Sequence, residues 1–197
     1  ATSDTATHTT SDLVLVLPVT VTPAENESAW VRLGAMDYVA SRVRSSGLKV
    51  VPSDQTLHLS TQLGDADTSN DTAWSRLRND SGARWIVAPE ARHDANGWHV
   101  RLNLREGGQP RSIEAQGNTP LSAAAAATDA WLRRIGRRST DNERTPSALT
   151  ERVQRIDAEL FVGQIAAARQ LIDATPNAER DDPRVRLREG QLEFRAG

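Results

Sequence analysis

The fold is decided by the stretch Leu13-Val14-Leu15-Val16-Leu17-Pro18-Val19, in which every position is apolar. Such a run is typical of a strand that is covered on both faces. A second short run, Leu48-Lys49-Val50-Val51-Pro52, follows a segment with helical periodicity, and Gly47 is expected to end that helix. The order strand, helix, strand predicts a right-handed βαβ unit with two parallel strands.

The helix expected over residues 28–47 carries one apolar face. Six residues share that face: Ala29, Leu33, Met36, Val39, Ala40 and Val43. Four others fall on the opposite side, where we expect solvent: Gly34, Ser41, Arg42 and Ser45. This distribution predicts an amphipathic helix that packs on a sheet with one of its sides.

Three further strands are predicted over residues 84–93, 97–105 and 111–117, separated by Gly-containing turn signals. In the first hairpin we favour the register that places Glu90 opposite Arg101. The alternative sets Arg92 against Arg101, and like charges across strands are destabilising. In either register one face is expected to be core, and it holds Trp85, Val87, Ala91, Trp98, Val100 and Leu102. Pro89 indicates that the first of these strands lies at a sheet edge or contains a bulge.

Helices are predicted on both sides of these strands. Before them we expect one helix with Leu59 and Leu63 on one face and another that buries Ala73, Trp74 and Leu77. After them, Thr119 and Pro120 supply the N-cap and the first position of a helix that contains five consecutive alanines. The fold class is therefore α/β, with a mixed sheet of about five strands flanked by helices.

The domain organisation follows from changes in composition along the chain. Residues 1–11 are mostly Thr, Ser and Ala and predict a flexible leader, and residues 12–138 form the α/β subdomain. The polar segment 139–146 is expected to be a linker. Residues 147–197 predict a small all-α subdomain of the tetratricopeptide type, because helical stripes are separated by Gly163 and closed by Pro176. Since the chain begins with Ala, we expect it to start inside a longer protein or after processing.

The composition excludes several classes of chemistry. The chain has no cysteine, which excludes thiol catalysis. Its net charge of −2 disfavours direct nucleic-acid binding. Residues 65–71 begin like a calcium loop, but Asn70 and Arg76 stand where a glycine and a bidentate glutamate are needed. The hairpin register places His93 and His99 on opposite faces, so they do not form a ligand pair. We therefore expect no enzyme, no cofactor and no metal site.

The candidate ligand-binding residues are four arginines at the end of the alanine-rich helix. They are Arg133, Arg134, Arg137 and Arg138. Cations at a helix C-terminus also stabilise the helix through its dipole, so a purely structural role is the alternative. If they bind a ligand, its charge is expected to be negative.

Three stretches resemble the extracytoplasmic part of CadC-like transmembrane transcription regulators. They are residues 30–37 (WVRLGAMD), residues 47–53 (GLKVVPS) and residues 183–187 (PRVRL). The resemblance implies a periplasmic sensor with an α/β subdomain similar to the amino-terminal domain of TolB, followed by tetratricopeptide-like helices. It further implies a membrane helix and a cytoplasmic winged helix-turn-helix upstream of this chain. Similar sensors also occur on membrane serine/threonine kinases.

The resemblance implies a periplasmic signal-input domain of an inner-membrane protein. It would bind a small molecule or a protein and transmit a conformational or dimerisation signal, and it leaves a homodimer open. The alternatives are the sensor of a membrane serine/threonine kinase and a tetratricopeptide-type scaffold for protein interactions.

Overall fold

The computed structural model describes residues 12–62, 71–107, 109–141, 143 and 145–197. Within them the strands are β1 (Leu13–Val16), β2 (Thr20–Thr22), β3 (Lys49–Val50), β4 (Trp85–Asp94), β5 (Gly97–Glu106) and β6 (Gln109–Gly117). The helices that flank them are α1 (Val31–Ser45), α2 (Ser53–Gln62), α3 (Asp71–Ser81) and α4 (Pro120–Arg134). The later helices are α5 (Ala148–Phe161), α6 (Ile165–Asp173), α7 (Asn177–Arg180) and α8 (Pro183–Ala196). The leader predicted over residues 1–11 lies outside the described residues.

The strands form one mixed sheet in the order β3-β1-β4-β5-β6, with β2 also paired to β4. β1 is parallel to β3, as the strand–helix–strand order predicts, and it is also parallel to β4. β2 is parallel to β4 as well, whereas the pairs β4 with β5 and β5 with β6 are antiparallel. The α/β class and the mixed sheet are thereby confirmed. The sixth strand arises because the apolar run of residues 13–19 ends as a strand at Val16 and pairing resumes at Thr20.

The register of the first hairpin is confirmed. Glu90 lies opposite Arg101, and His93 lies opposite Trp98. On the face that alternation assigns to the core, Val87, Val100 and Leu102 are buried. The alternation of side chains along a strand therefore identified the buried face of this hairpin correctly.

The position expected for Pro89 was wrong in part, because β4 lies inside the sheet rather than at its edge. The Leu17 N–H donates to the Val87 carbonyl at 2.8 Å, so the backbone of Val87 faces β1. Pro89, two residues on, faces the same side. At that point β1 has ended and β2 has not begun. Among the described residues, no strand therefore lies on that side of Pro89 to accept a hydrogen bond, and the lack of an N–H on Pro89 costs the sheet no hydrogen bond.

Each face of the sheet is covered by a different pair of helices. On one face Val14, Val16 and Val87 pack with residues of α1 and α4. On the other face Leu15, Leu17 and Ile86 pack with Trp74 and Leu77 of α3. This two-sided burial explains why β1 is apolar at every position.

The solvent-facing side expected for α1 was wrong at two positions. Gly34 is buried, and the side chain of Arg42 is only 2% exposed. At Gly34 the cause is α5, which packs on α1, whereas Arg42 is covered by Asp129 of α4 and by the segment that leads into α5. A Cβ atom on Gly34 would lie 2.8 Å from the Gln154 carbonyl oxygen and 2.8 Å from a ring carbon of Trp30. Glycine is therefore what allows α5 to approach α1 this closely.

The later helices form an antiparallel hairpin, α5 and α6, with α8 packed against both. Ile156, Leu160 and Leu192 meet in their core. Asp157 of α5 and Arg188 of α8 form an ion pair with contacts of 2.6 and 2.8 Å. Burial raises the pKa of the Asp157 carboxyl, although Arg188 opposes the rise.

On α8, Leu187 and Phe194 are 56% and 89% exposed, so only part of its apolar stripe is covered. The division into subdomains at residues 139–146 stays a prediction.

We predict that Gly34→Ala destabilises the protein by about 1–3 kcal/mol, because the added methyl group has to push α5 or Trp30 away. Gly190→Ala in α8 is the matched control, since a Cβ there meets nothing within 4 Å. That control is expected to be neutral or stabilising by up to about 1 kcal/mol. Urea unfolding of both variants measures the difference, and equal stabilities would contradict the close contact of α1 with α5.

Candidate functional site

A cleft of about 450 Å³ lies where the α/β part meets the helical hairpin. We call it the junction cleft. Its walls come from the segment before α1, the tip of the β4–β5 hairpin, the start of α4 and the first turns of α5. The lining residues used below are Trp30, His93, Trp98, Thr119, Glu151 and Arg155.

Aromatic rings form two walls of the junction cleft. The rings of His93 and Trp98 are stacked with their centroids 4.7 Å apart. On the opposite side, the guanidinium of Arg155 lies 4.8 Å from the ring centroid of Trp30. Such stacking contributes beyond the burial of area and fixes the orientation of the rings. The cleft therefore has walls whose aromatic rings are already held in place.

The position of these side chains follows from local rules. His93 and Trp98 are neighbours because they face each other across the β4–β5 pair. The start of α4 is fixed by a capping box, in which the Thr119 side chain accepts from the Ser122 N–H and the Ser122 hydroxyl accepts from the Thr119 N–H. Arg155 is held by Glu151, one turn before it on α5, at 2.7 Å.

A second concave region, of about 640 Å³, lies between α1, α4 and the segment after α4. We call it the arginine groove, and it is lined by Arg42, Ala126, Asp129, Arg133, Arg138, Ser139 and Asp141. Two of its arginines, Arg133 and Arg138, are exposed, and neither has an ion-pair partner among the residues that the structure describes.

Arg42 forms the floor of the arginine groove and joins three parts of the chain. Its guanidinium contacts both carboxylate oxygens of Asp129 at 2.8 Å, and it lies 3.2 Å from the Asp141 carboxylate. It also donates to the Glu143 carbonyl at 3.3 Å. Burial lowers the pKa of Arg42, but the hydrogen bond to Asp129 and the nearby charges outweigh it and raise the pKa above its usual value. Arg42 therefore stays charged and ties α1 to α4 and to the segment that leads into α5.

The structure brings together two of the four arginines proposed from the sequence. Arg133 and Arg138 line the arginine groove, whereas Arg137 lies 3.5 Å from Asp12. Arg134 is exposed and lines neither the groove nor the junction cleft. An anion in the arginine groove would therefore contact one pair of these arginines and not the other.

Sequence reasoning did not find the junction cleft. Trp74, Trp85 and Trp98 are predicted to lie in the core, and the first two are buried, but Trp98 is only half-buried. The hairpin register did place His93 beside Trp98. No local pattern indicated that α5 would dock beside them, because it comes more than 50 residues later in the chain.

Within the described ranges, no group of three or more His, Asp or Glu residues is arranged to hold a metal ion. The calcium-like segment lies outside those ranges except for Asp71, which is 3.1 Å from Arg105. None of the described helices is long and apolar enough to cross a bilayer.

Comparisons with known proteins do not show a family for this chain. No protein-family model matches the chain, and no curated protein gives a significant match. Among solved structures, the chain is similar to the LpoB C-terminal domain from Salmonella enterica, with a TM-score of 0.35 and 14% identity over 53% of this chain and 82% of that chain. A likeness this low carries no argument about function.

We predict that Arg42→Gln destabilises the fold by about 2–4 kcal/mol, because it leaves the carboxylates of Asp129 and Asp141 without their cation. Arg44→Gln is the control, since Arg44 is exposed on the same helix. The free energy of unfolding in urea is the measurement. If the two variants lose the same stability, Arg42 does not hold these segments together.

A second prediction separates the two arginine pairs. We expect Arg133→Gln with Arg138→Gln to weaken binding of an anionic probe such as citrate about tenfold or more, because both guanidinium groups border the groove. Arg134→Gln with Arg137→Gln removes the same net charge away from the groove and should leave binding within about twofold. Isothermal titration calorimetry at low salt measures both. Equal weakening by the two pairs would indicate a general charge effect instead of a site.

Proposed function

We propose that this chain is the signal-binding part of a bacterial membrane receptor and that it holds a small molecule in the junction cleft. The observation that supports this proposal is that both parts of the chain line the cleft. Trp30 and Trp98 belong to the α/β part, and Glu151 and Arg155 belong to α5. A ligand that contacts both can favour one placement of the helical hairpin over another, which is the physical requirement for a signal.

We further propose that the receptor is a periplasmic, single-pass membrane regulator with a cytoplasmic DNA-binding domain. This part rests on the resemblance of residues 30–37, 47–53 and 183–187 to CadC-like regulators. A serine/threonine kinase in place of the DNA-binding domain would keep the sensing role and change only the output.

A tetratricopeptide-type scaffold is the second candidate function. The observation that favours it is the exposure of Leu187 and Phe194 on α8, since scaffolds of stacked helices bind partners through exposed surfaces. In that case the helical part would bind a protein, and the junction cleft would have no ligand.

The experiment is a fluorescence titration of the chain with a panel of amino acids, amines, organic acids, sugars and nucleotides. For any compound that binds, we expect Trp98→Phe to weaken affinity about three- to tenfold, because the smaller ring loses stacking area in the cleft. Trp74→Phe is the control, since Trp74 lies on the other face of the sheet, in the cluster of Leu15 and Ile86.

The compound identified in this way is then tested on the full-length receptor with a reporter of its output. Loss of the response in Trp98→Phe, with the response kept in Trp74→Phe, supports the sensor proposal. A binding compound whose affinity is equally changed by both variants would contradict the site. If no compound in the panel binds and a protein partner is retained through α8, the scaffold function is the better account.

A further inference from the structure

β6 (Gln109–Gly117) forms one edge of the sheet. It pairs with β5 on one side only. Of its nine residues, only Ile113 is buried. No backbone hydrogen bond from another described residue reaches the outer side of β6. The opposite edge of the sheet, β3, is only two residues long.

The backbone groups that face outward from β6 follow from alternation. The Leu17 N–H donates to the Val87 carbonyl, so the backbone of Val87 faces β1 and that of its partner Leu104 faces β6. Leu104 lies opposite Arg111, which therefore bonds to β5. The backbone N–H and C=O groups of the next residue, and of every second residue after it, point away from β5. These residues are Ser112, Glu114 and Gln116. Within the described part of the chain, no backbone group bonds to the outward N–H and C=O groups of these three residues.

We propose that a second copy of this chain pairs antiparallel with β6 about a two-fold axis at Ile113. Ile113 is the midpoint of the strand, so this register pairs all nine residues of both copies. It places Ser112 opposite Glu114 of the second copy and Arg111 opposite Ala115 of the second copy. No like charges then face each other. Moving the axis by one residue to Glu114 would place the Glu114 carboxylates of the two copies opposite each other. Like charges directly opposite each other across strands are destabilising.

Pro110 and the charged side chains of β6 are also features by which natural proteins protect sheet edges from pairing. In the proposed register Pro110 lies opposite Gln116 of the second copy, at the end of the paired strands. There it removes one hydrogen bond at each end and leaves those of Ser112 and Glu114 intact. Of the two charged side chains of β6, Glu114 has a partner inside the same chain, since it binds Arg101 at 2.7 Å. The pairing goes beyond the proposed function and does not depend on a ligand in the junction cleft.

The test is sedimentation velocity over a wide range of concentrations, with two variants at one position. Ser112→Pro removes the outward N–H without touching the bonds of β6 to β5, and it should weaken dimerisation roughly tenfold or more, because each copy loses a donor. Ser112→Ala keeps that N–H and should dimerise within about twofold of the unchanged chain. Circular dichroism and thermal unfolding check that both variants keep the fold.

Amide hydrogen exchange gives a second readout that does not depend on any substitution. The outward amides of Ser112, Glu114 and Gln116 are expected to be protected only at concentrations where the dimer forms. The inward amides of Arg111 and Ile113 should be protected at every concentration. A chain that stays monomeric overturns the proposal and leaves the edge to an extended segment of another protein. A dimer that Ser112→Pro does not weaken, or in which the outward amides stay unprotected, overturns it as well.

Discussion

The structure depends on helix α1 being covered from two opposite sides. Its apolar residues, such as Met36 and Val39, face the sheet, while its other side carries α5. The contact with α5 requires Gly34, because a larger residue would meet the Gln154 carbonyl oxygen at 2.8 Å. The helical hairpin therefore packs closely on α1, and both concave regions described above border that helix.

The segment between α4 and α5 is fastened to the same helix. Arg42 binds Asp141 and the Glu143 carbonyl, and the Ser45 hydroxyl lies 2.6 Å from that of Ser139. A buried ion pair contributes little net stability, but breaking it by removing one partner is costly. Its role here is to fix geometry, because it sets where the chain leaves α4 before it enters α5. A change in the placement of the hairpin has to be accommodated around Arg42 as well as around Gly34.

Sequence reasoning succeeded where structure follows from neighbours along the chain. Alternation and cross-strand charge were enough to place Glu90 opposite Arg101, and the capping residue Thr119 located the start of α4. It failed at Gly34 and Arg42, because on a helix covered from two sides these residues look like solvent-facing positions. Their partners lie about 90 to 120 residues later in the chain, where no local pattern points back to them. The junction cleft was missed for the same reason.

The two concave regions border opposite ends of α1. Trp30 of the junction cleft precedes its first residue, and Arg42 of the arginine groove lies near its end, about 18 Å further along the axis. Both regions bear on α5, one through Glu151 and the other through the segment that enters this helix. If the affinities of both sites differ between two placements of α5, each ligand changes the affinity for the other by the same factor, because coupling between binding sites is reciprocal. An anion in the arginine groove would thus act on the junction cleft without touching it.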